Sequence, residues 1–216
     1  MPGRKFFFAI SIILFLLFVY FSYLVAKETF VSFDFDTTVR FQDKIPRRFD
    51  LPFSFFSLLG MTEITGLVWL ALFIFVLIKR YWLATLSMFT FWGALALEVF
   101  GKMFVFHPGP PFLFYRGVLK FEFPSSYAHT SYSYPSGHLT RTAFIISFLI
   151  VYIYLKTHWS IKMLIIPGLV LFLALMAVSR IYLGEHWTTD VLGGLLLGSS
   201  AGILTASLVP KSLSPD

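Results

Sequence analysis

The chain has 216 residues, of which 57% are hydrophobic and only 13% are charged. A soluble globular domain carries about 25% charged residues, so we expect a membrane protein, because one water-soluble core cannot hold this much apolar surface. The absence of cysteine excludes disulfides, zinc–thiolate sites and cysteine catalysis, and the net charge of +6 comes without the long basic run typical of nucleic-acid binding.

Several segments are long and apolar enough to cross a bilayer, which takes about 20 mostly apolar residues. They cover residues 6–26, 54–78, 83–106, 139–156, 161–178 and 188–208. We interpret the first as a retained helix and not a signal peptide, because it is long and bulky. Residues 27–52 mix charges with apolar side chains and are expected to lie along the membrane surface. The predicted fold is an all-α bundle of six transmembrane helices, forming a single domain over residues 1–216.

The orientation follows from the loops. With six spans, the loops at 27–52, 107–135 and 179–186 share one side of the membrane. The opposite side holds seven of the 17 basic residues: Arg4, Lys5, Lys79, Arg80, Lys156, Lys162 and Lys211. By the positive-inside rule, this count of basic residues alone would place the loops, and not the termini, in the cytoplasm. Because some of the other basic residues are recruited for chemistry, we place both termini in the cytoplasm, in a cell membrane.

The last span contains Gly194, Gly198 and Gly202 at four-residue spacing. Small residues at this spacing let a neighbouring helix approach closely. We expect them to pack within one bundle, and the alternative is a seam between two subunits.

A first polar cluster ends the third span. Glu98 and Lys102 are four residues apart, so their side chains can pair on one helix face. A charge at the bilayer centre costs about 2.5–3.5 kcal/mol on insertion scales, so charges at this depth call for a reason. The alternative is a helix-end lysine whose ammonium group reaches the headgroups.

A second cluster precedes the fourth span, in the Pro-Ser-Gly-His run at residues 135–138. Ser136 is suited to cap the helix and Gly137 leaves its N–H accessible, and helix N-termini bind anions. His138 could donate a proton to a departing phosphate ester oxygen, and Arg141 shares its helix face. The alternative is an ordinary cap beside an interfacial histidine.

The third cluster contains Arg180, His186 and Asp190. His186 and Asp190 are spaced i, i+4, so the carboxylate can bond one imidazole nitrogen and leave the other free for nucleophilic attack. The planar guanidinium of Arg180 suits phosphate oxygens. A structural ion network is the alternative interpretation.

A metal site is the competing explanation for these clusters. His186 and Asp190 could ligate zinc, but the nearby basic side chains would repel a dication, and few carboxylates remain for a two-metal site. We therefore expect a site without metal or other cofactor, in which basic residues hold an anion.

Together the clusters resemble the type 2 phosphatidic acid phosphatase superfamily. Its pattern is a lysine, six residues and Arg-Pro; then Pro-Ser-Gly-His; then Ser-Arg, five residues, His, three residues and Asp. The second and third motifs are intact at 135–138 and 179–190. In the first motif Lys102 and Pro110 match, but Gly109 stands where the family has arginine.

One phosphate-binding guanidinium is thus missing from its usual place. Two arginines are candidates to replace it. Arg141 is three residues from His138 on a helix, and Arg116 lies in the loop that follows the third span.

The resemblance implies a mechanism. His186 would attack phosphorus to form a phosphohistidine, Asp190 would orient it, and His138 would protonate the leaving oxygen before water hydrolyses the intermediate. The groups expected to stabilise the equatorial phosphate oxygens are Lys102, Arg180 and the N–H groups of Ser136 and Gly137.

The substrate expected from the resemblance is a lipid phosphate: phosphatidate, phosphatidylglycerol phosphate or a polyprenyl diphosphate. The partners expected are this substrate and membrane lipids, with neither nucleic acid nor an obligate protein partner. Three alternatives stay open: a lipid phosphotransferase with the same site, a phosphatase for soluble esters, and a non-catalytic protein that binds or transports lipid phosphates.

Overall fold

The computed structural model describes residues 3–119, 124 and 130–209, and this part of the chain contains helices and loops but no strand. The helices are α1 (Arg4–Ala26), α2 (Val31–Lys44), α3 (Asp50–Leu58), α4 (Thr62–Ile78), α5 (Trp82–Ser87), α6 (Thr90–Phe104), α7 (Gly137–Lys156), α8 (Trp159–Tyr182) and α9 (Thr188–Ser207). Short 3₁₀ turns occupy Arg47–Phe49 and Phe112–Phe114.

Five of these segments could cross a membrane by length and apolar composition: α1, α5 with α6 (Trp82–Phe104), α7, α8 and α9. A sixth arises if Arg47–Leu58 and Thr62–Ile78 form one span bent by 43°. The all-α membrane bundle is confirmed, but the second predicted span, 54–78, is broken and not continuous.

The break surrounds Gly60. A Cβ atom at this position would lie only 2.7 Å from Cδ2 of His138, and the Gly60 carbonyl accepts a bond from Nη2 of Arg141 at 3.4 Å. The bend therefore lets the backbone approach the polar start of α7. The sequence did not predict it, because 54–78 reads as one apolar run and the cause is a tertiary contact.

Helices α7 and α9 form the centre of the bundle. In each, 61% of the most apolar 18-residue stretch is buried, against 17% in α1 and 11% in α8. Gly194, Gly198 and Gly202 all face the backbone at the start of α7, where a side chain would collide with main-chain carbonyl groups. The prediction that these glycines pack within one bundle is confirmed.

Helix α2 lies in the segment expected to run along the membrane surface, and its polar side faces the protein. Asp34 and Thr38 are buried, whereas the Phe33 and Phe35 side chains are about half exposed, at 46% and 52%. This arrangement suits a helix that presents phenyl rings to the apolar edge of the interface, and it brings Asp34 towards the polar end of the bundle.

Candidate active site

A cavity of about 540 Å³ lies where the polar ends of α3, α4, α6, α7 and α8 meet. The three clusters singled out in the sequence converge on it. Its charged and imidazole side chains are Glu98, Lys102, His138, Arg141, Arg180, Glu185 and His186. Its aliphatic and thioether side chains include Leu58, Met61, Leu95 and Val99. The cavity thus combines a cationic wall with an apolar one.

His186 is held by Asp190. Its Nδ1 atom lies 3.2 Å from Oδ2 of Asp190, and the same oxygen accepts the N–H of Trp187 at 2.9 Å. Asp190 is fully buried, so its carboxylate has a fixed orientation. Because Nδ1 is engaged, Nε2 is the nitrogen of His186 that is free to react.

The local backbone explains this placement. Gly184 has a φ of +65° and lies against the carbonyl of Phe114, a combination that only glycine tolerates. The turn it permits ends α8, and the N–H of His186 bonds back to the Arg180 carbonyl at 3.3 Å. Asp190 then lies in the first turn of α9, where a carboxylate can reach back to the N-cap N–H.

The environment of His186 keeps its imidazole neutral. Burial, followed by the positive charges of Arg180 and Lys102, lowers the pKa of His186 well below its ordinary value of 6.5. A neutral imidazole whose Nδ1 faces a carboxylate carries its lone pair on Nε2. At neutral pH the His186 imidazole therefore offers an unprotonated ring nitrogen.

His138 lies in the first turn of α7 and also lines the cavity. Ser136 takes the N-cap position as predicted, but its side chain makes no capping bond. Its N–H donates to the Asp190 carbonyl at 2.9 Å, and the residue is fully buried outside the cavity lining. The prediction that the Ser136 N–H binds phosphate needs correction, because that group already ties α7 to α9.

Lys102 and Arg141 share one carboxylate. The predicted pair on α6 is present, with Lys102 Nζ 2.9 Å from Oε1 of Glu98. Arg141 Nη1 approaches the same carboxylate from α7, at 3.3 Å from Oε2. Arg141 Nε is buried without a hydrogen-bond partner among the described residues. Two cations therefore stand at the cavity wall with one carboxylate between them.

Arg180 reaches the cavity from the end of α8. Its guanidinium pairs with Glu185 and bonds the hydroxyl of Ser57, and its side chain is only 4% exposed. Nε of this arginine likewise has no partner within the described part of the chain. The Glu185 side chain is 22% exposed, so this ion pair lies at the solvent-facing rim of the site.

The sequence model of the PAP2 superfamily matches residues 80–214 of this chain. The chain belongs to the PAP2 superfamily. The match includes all of α6, α7, α8 and α9, and so includes every charged and imidazole group that lines the cavity.

Individual proteins are also similar to this chain in sequence. Phosphatidylglycerophosphatase B of Bacillus subtilis is 38% identical over 73 residues, which span 32% of this chain and 35% of that protein. Undecaprenyl-diphosphatase of Sulfolobus acidocaldarius is 39% identical over 80 residues, which span 37% of this chain and 34% of that protein. Each of these alignments spans about a third of the relative's length.

The fold also has a solved counterpart, the crystal structure of a transmembrane PAP2 type phosphatidylglycerolphosphate phosphatase from Bacillus subtilis. The TM-score is 0.70 at 20% identity, with 90% of this chain and 93% of that chain covered. This similarity establishes a shared fold for nearly the whole chain.

The two candidates for the missing PAP2 arginine lie in different surroundings. Arg141 lines the cavity. Arg116 does not: its Nη1 donates to the carbonyl of Gln42 at 3.1 Å, and its guanidinium stacks on the Tyr182 ring at 5.1 Å. The structure thus corrects the expectation that Arg116 is available to phosphate, because its charge anchors the loop to α2 and α8.

A second polar network contacts Asp190 on its other carboxylate oxygen, Oδ1, and the sequence did not predict that its members lie together. His107 Nε2 is 3.0 Å from Oγ1 of Thr189 and 3.5 Å from Oδ1 of Asp190. Asp34 of α2 accepts both the N–H and the hydroxyl of Thr189, at 2.9 and 2.6 Å. Burial raises the pKa of Asp34 to about 6 and lowers that of His107. No sequence spacing reveals this network, because it joins residues up to 155 positions apart.

Asp190 receives a further bond from Ser133, whose hydroxyl lies 3.1 Å from Oδ1. Ser133 lies two residues before Pro135, the first residue of the Pro-Ser-Gly-His motif. This closeness to the motif is the only sequence signal that could have indicated a role for it. Its N–H also pairs with the His107 carbonyl at 3.0 Å. The Asp190 carboxylate is thus fixed by the loops that precede α7 and α9.

Among residues 3–119, 124 and 130–209, which the structure describes, no group of three or more His, Cys, Asp or Glu side chains is arranged to hold a metal ion. The charges that face the cavity centre include Lys102, Arg141 and Arg180. Whether turnover needs a metal stays a prediction, for which chelation is the test.

Proposed function

We propose that this PAP2 protein is a membrane lipid phosphatase that hydrolyses a phosphomonoester or diphosphate through a phosphohistidine on His186. The observation that carries the proposal is the His186–Asp190 pair at a cavity lined by His138 and three cations. A positioned nucleophile, a proton donor and positive charge are the groups that phosphoryl transfer requires.

The proposed reaction has two steps. Nε2 of His186 attacks phosphorus as the ester P–O bond breaks, and the leaving oxygen takes a proton from His138. Water then attacks the phosphohistidine, gives its proton to His138 and releases phosphate, which restores both histidines. Asp190 holds the imidazole in position and stabilises its positive charge throughout.

Four groups are proposed to hold the equatorial oxygens: Lys102, Arg141, Arg180 and the N–H of Gly137. The side chains of Lys102, Arg141 and Arg180 already line the cavity, so positively charged donors are in place before substrate binds. Preorganised donors of this kind stabilise charge that develops in the transition state, and loss of one costs about 100- to 1000-fold in rate. Arg141 thereby takes the place of the arginine that is missing at Gly109.

A lipid is the proposed substrate class. Leu58, Met61, Leu95 and Val99 form an apolar wall beside the charged groups, at the end of helices that cross the bilayer. The candidates are phosphatidate, phosphatidylglycerol phosphate and polyprenyl diphosphate. The relatives named phosphatidylglycerophosphatase and undecaprenyl-diphosphatase support the second and third. The proposed location is the cell membrane, with the site on the non-cytoplasmic face.

The test is phosphate release by the purified full chain in detergent from a panel of these three lipid phosphates and one soluble ester. Release from at least one lipid, faster than from the soluble ester, supports the proposal. A second arm adds a lipid alcohol acceptor. Phosphate that appears on the acceptor and not in solution would identify a phosphotransferase, and binding without either product would identify a binding protein.

A further inference from the structure

Glu98 stands inside the proposed phosphate site. It lies on α6, one turn before Lys102, and is only 4% exposed. Its carboxylate contacts the two cations proposed to hold phosphate, at 2.9 Å from Lys102 Nζ and 3.3 Å from Arg141 Nη1. The proposed reaction gives this carboxylate no role.

The carboxylate also lies against the first residue of α7. A Cβ atom at Gly137 would collide with Oε1 of Glu98, so the absence of a side chain at this position accommodates the carboxylate. The start of a 20-residue helix favours negative charge. Glu98 therefore occupies the kind of position that a phosphate oxygen would take.

Glu98 is enclosed by its partners. Its side chain is 5% exposed and is held between cations from two helices, whereas the Glu185 side chain at the rim is 22% exposed. The other charged and titratable groups around the cavity are Lys102 on α6, Tyr115 in the loop that follows, His138 and Arg141 on α7, Arg180 on α8, and Glu185 and His186 in the following turn. A fixed anion thus remains beside any phosphate bound to Lys102 and Arg141.

Two anionic oxygens in contact within a buried site repel each other, and a proton shared between them relieves this repulsion. We propose that Glu98 and the bound phosphate group share one proton, held between a carboxylate oxygen and a phosphate oxygen. A phosphate dianion takes this proton up from solvent as it binds, and a monoanion brings its own. The inference rests on the proposed function only in that this cavity is the phosphate site.

The test is calorimetric titration of the full chain in detergent with inorganic phosphate near pH 8, in two buffers of different ionisation enthalpy. The wild type is expected to take up about one proton per bound phosphate, because the free ligand is mainly the dianion. Glu98→Gln keeps the size of the side chain and is expected to take up about one proton fewer. Because the charge of Glu98 also raises the pKa of His186, the same comparison is made in a His186→Ala background, where Glu98→Gln is still expected to remove about one proton of uptake.

Asp36→Asn is the matched control. It removes one carboxylate charge from the exposed side of α2, away from the cavity, and is expected to retain the proton uptake of the wild type. Equal uptake by the wild type and Glu98→Gln would overturn the proposal, and so would a lack of measurable phosphate binding by the wild type.

A measurement on the wild type alone keeps the proposal testable if Glu98→Gln does not fold. Between pH 8 and 9 the affinity for total phosphate is expected to fall by about tenfold, following the monoanion, and an unchanged or rising affinity would contradict proton sharing. Neither experiment involves turnover. Proton uptake by the wild type without release of phosphate from any lipid would therefore refute the proposed function and leave this inference intact. Release of phosphate from a lipid without proton uptake that depends on Glu98 would refute this inference and leave the proposed function intact.

Discussion

Nδ1 of His186 lies 3.2 Å from Oδ2 of Asp190, across one turn at the start of α9. The carboxylate is fully buried and is also bonded by the Trp187 N–H and the Ser133 hydroxyl. Its position therefore does not depend on His186, and it imposes one orientation on the imidazole. This relationship leaves Nε2 as the reactive atom and motivates the first prediction.

Asp190→Asn is expected to slow phosphate release by at least a hundredfold without abolishing it. The amide can still occupy the space and accept a hydrogen bond, but it no longer stabilises the imidazolium character that develops during attack. The measurement is kcat and KM on the best lipid substrate, with the loss expected in kcat. A variant with wild-type kcat would contradict the orienting role.

Arg141→Ala is expected to lose at least a hundredfold in turnover, because a charge-assisted bond to the transition state disappears. Arg116→Ala is the matched comparison: it removes the same charged group from a side chain that stacks on Tyr182 outside the cavity lining. That variant is expected to lose less than tenfold. Equal effects of the two substitutions would contradict the assignment of Arg141.

Excess EDTA is expected to leave phosphate release unchanged. Lys102, Arg141 and Arg180 already supply positive charge at the cavity wall, so the proposed transition state needs no dication. The assay compares chelated enzyme with the same enzyme after magnesium or zinc is added back. Activity that disappears with EDTA and returns with either metal would refute this site description.

The value of kcat/KM for phosphoenzyme formation is expected to hold up in mild acid, because this quantity reports the protonation of groups in the free enzyme. The pKa of His186 is lowered well below 6.5, chiefly by burial and then by Arg180 and Lys102. A lowered pKa keeps the imidazole neutral, and so nucleophilic, as the pH falls through 6.5. The acid limb assigned to His186 should therefore have its midpoint below 6.5, and a midpoint at or above that value would count against the prediction.

The sequence predicted most of the bundle because long apolar runs and helix formation in a bilayer are local properties. It also predicted the Glu98–Lys102 pair, which depends only on four-residue spacing within α6. The third partner, Arg141, could not be assigned to this pair in advance. Its contact with Glu98 requires the packing of α6 against α7.

Two other features could not be predicted from the sequence, for related reasons. Asp34 belongs to the segment expected to lie along the membrane surface, and only the tertiary fold brings its carboxylate to Thr189. The Ser136 N–H looked free because its bond to the Asp190 carbonyl joins two distant segments. Each case is a long-range polar contact that local periodicity does not encode.

The central claim is that His186 carries the phosphoryl group. The most direct test is to mix the purified chain with a lipid phosphate bearing ³²P on its terminal phosphate, quench the mixture within one turnover, and locate the label. The label is expected on His186, stable in base and labile in acid as a phosphoramidate, and both the label and phosphate release should disappear in a folded His186→Ala variant. Phosphate release by His186→Ala within tenfold of the wild-type rate, or label on another residue, would contradict the account.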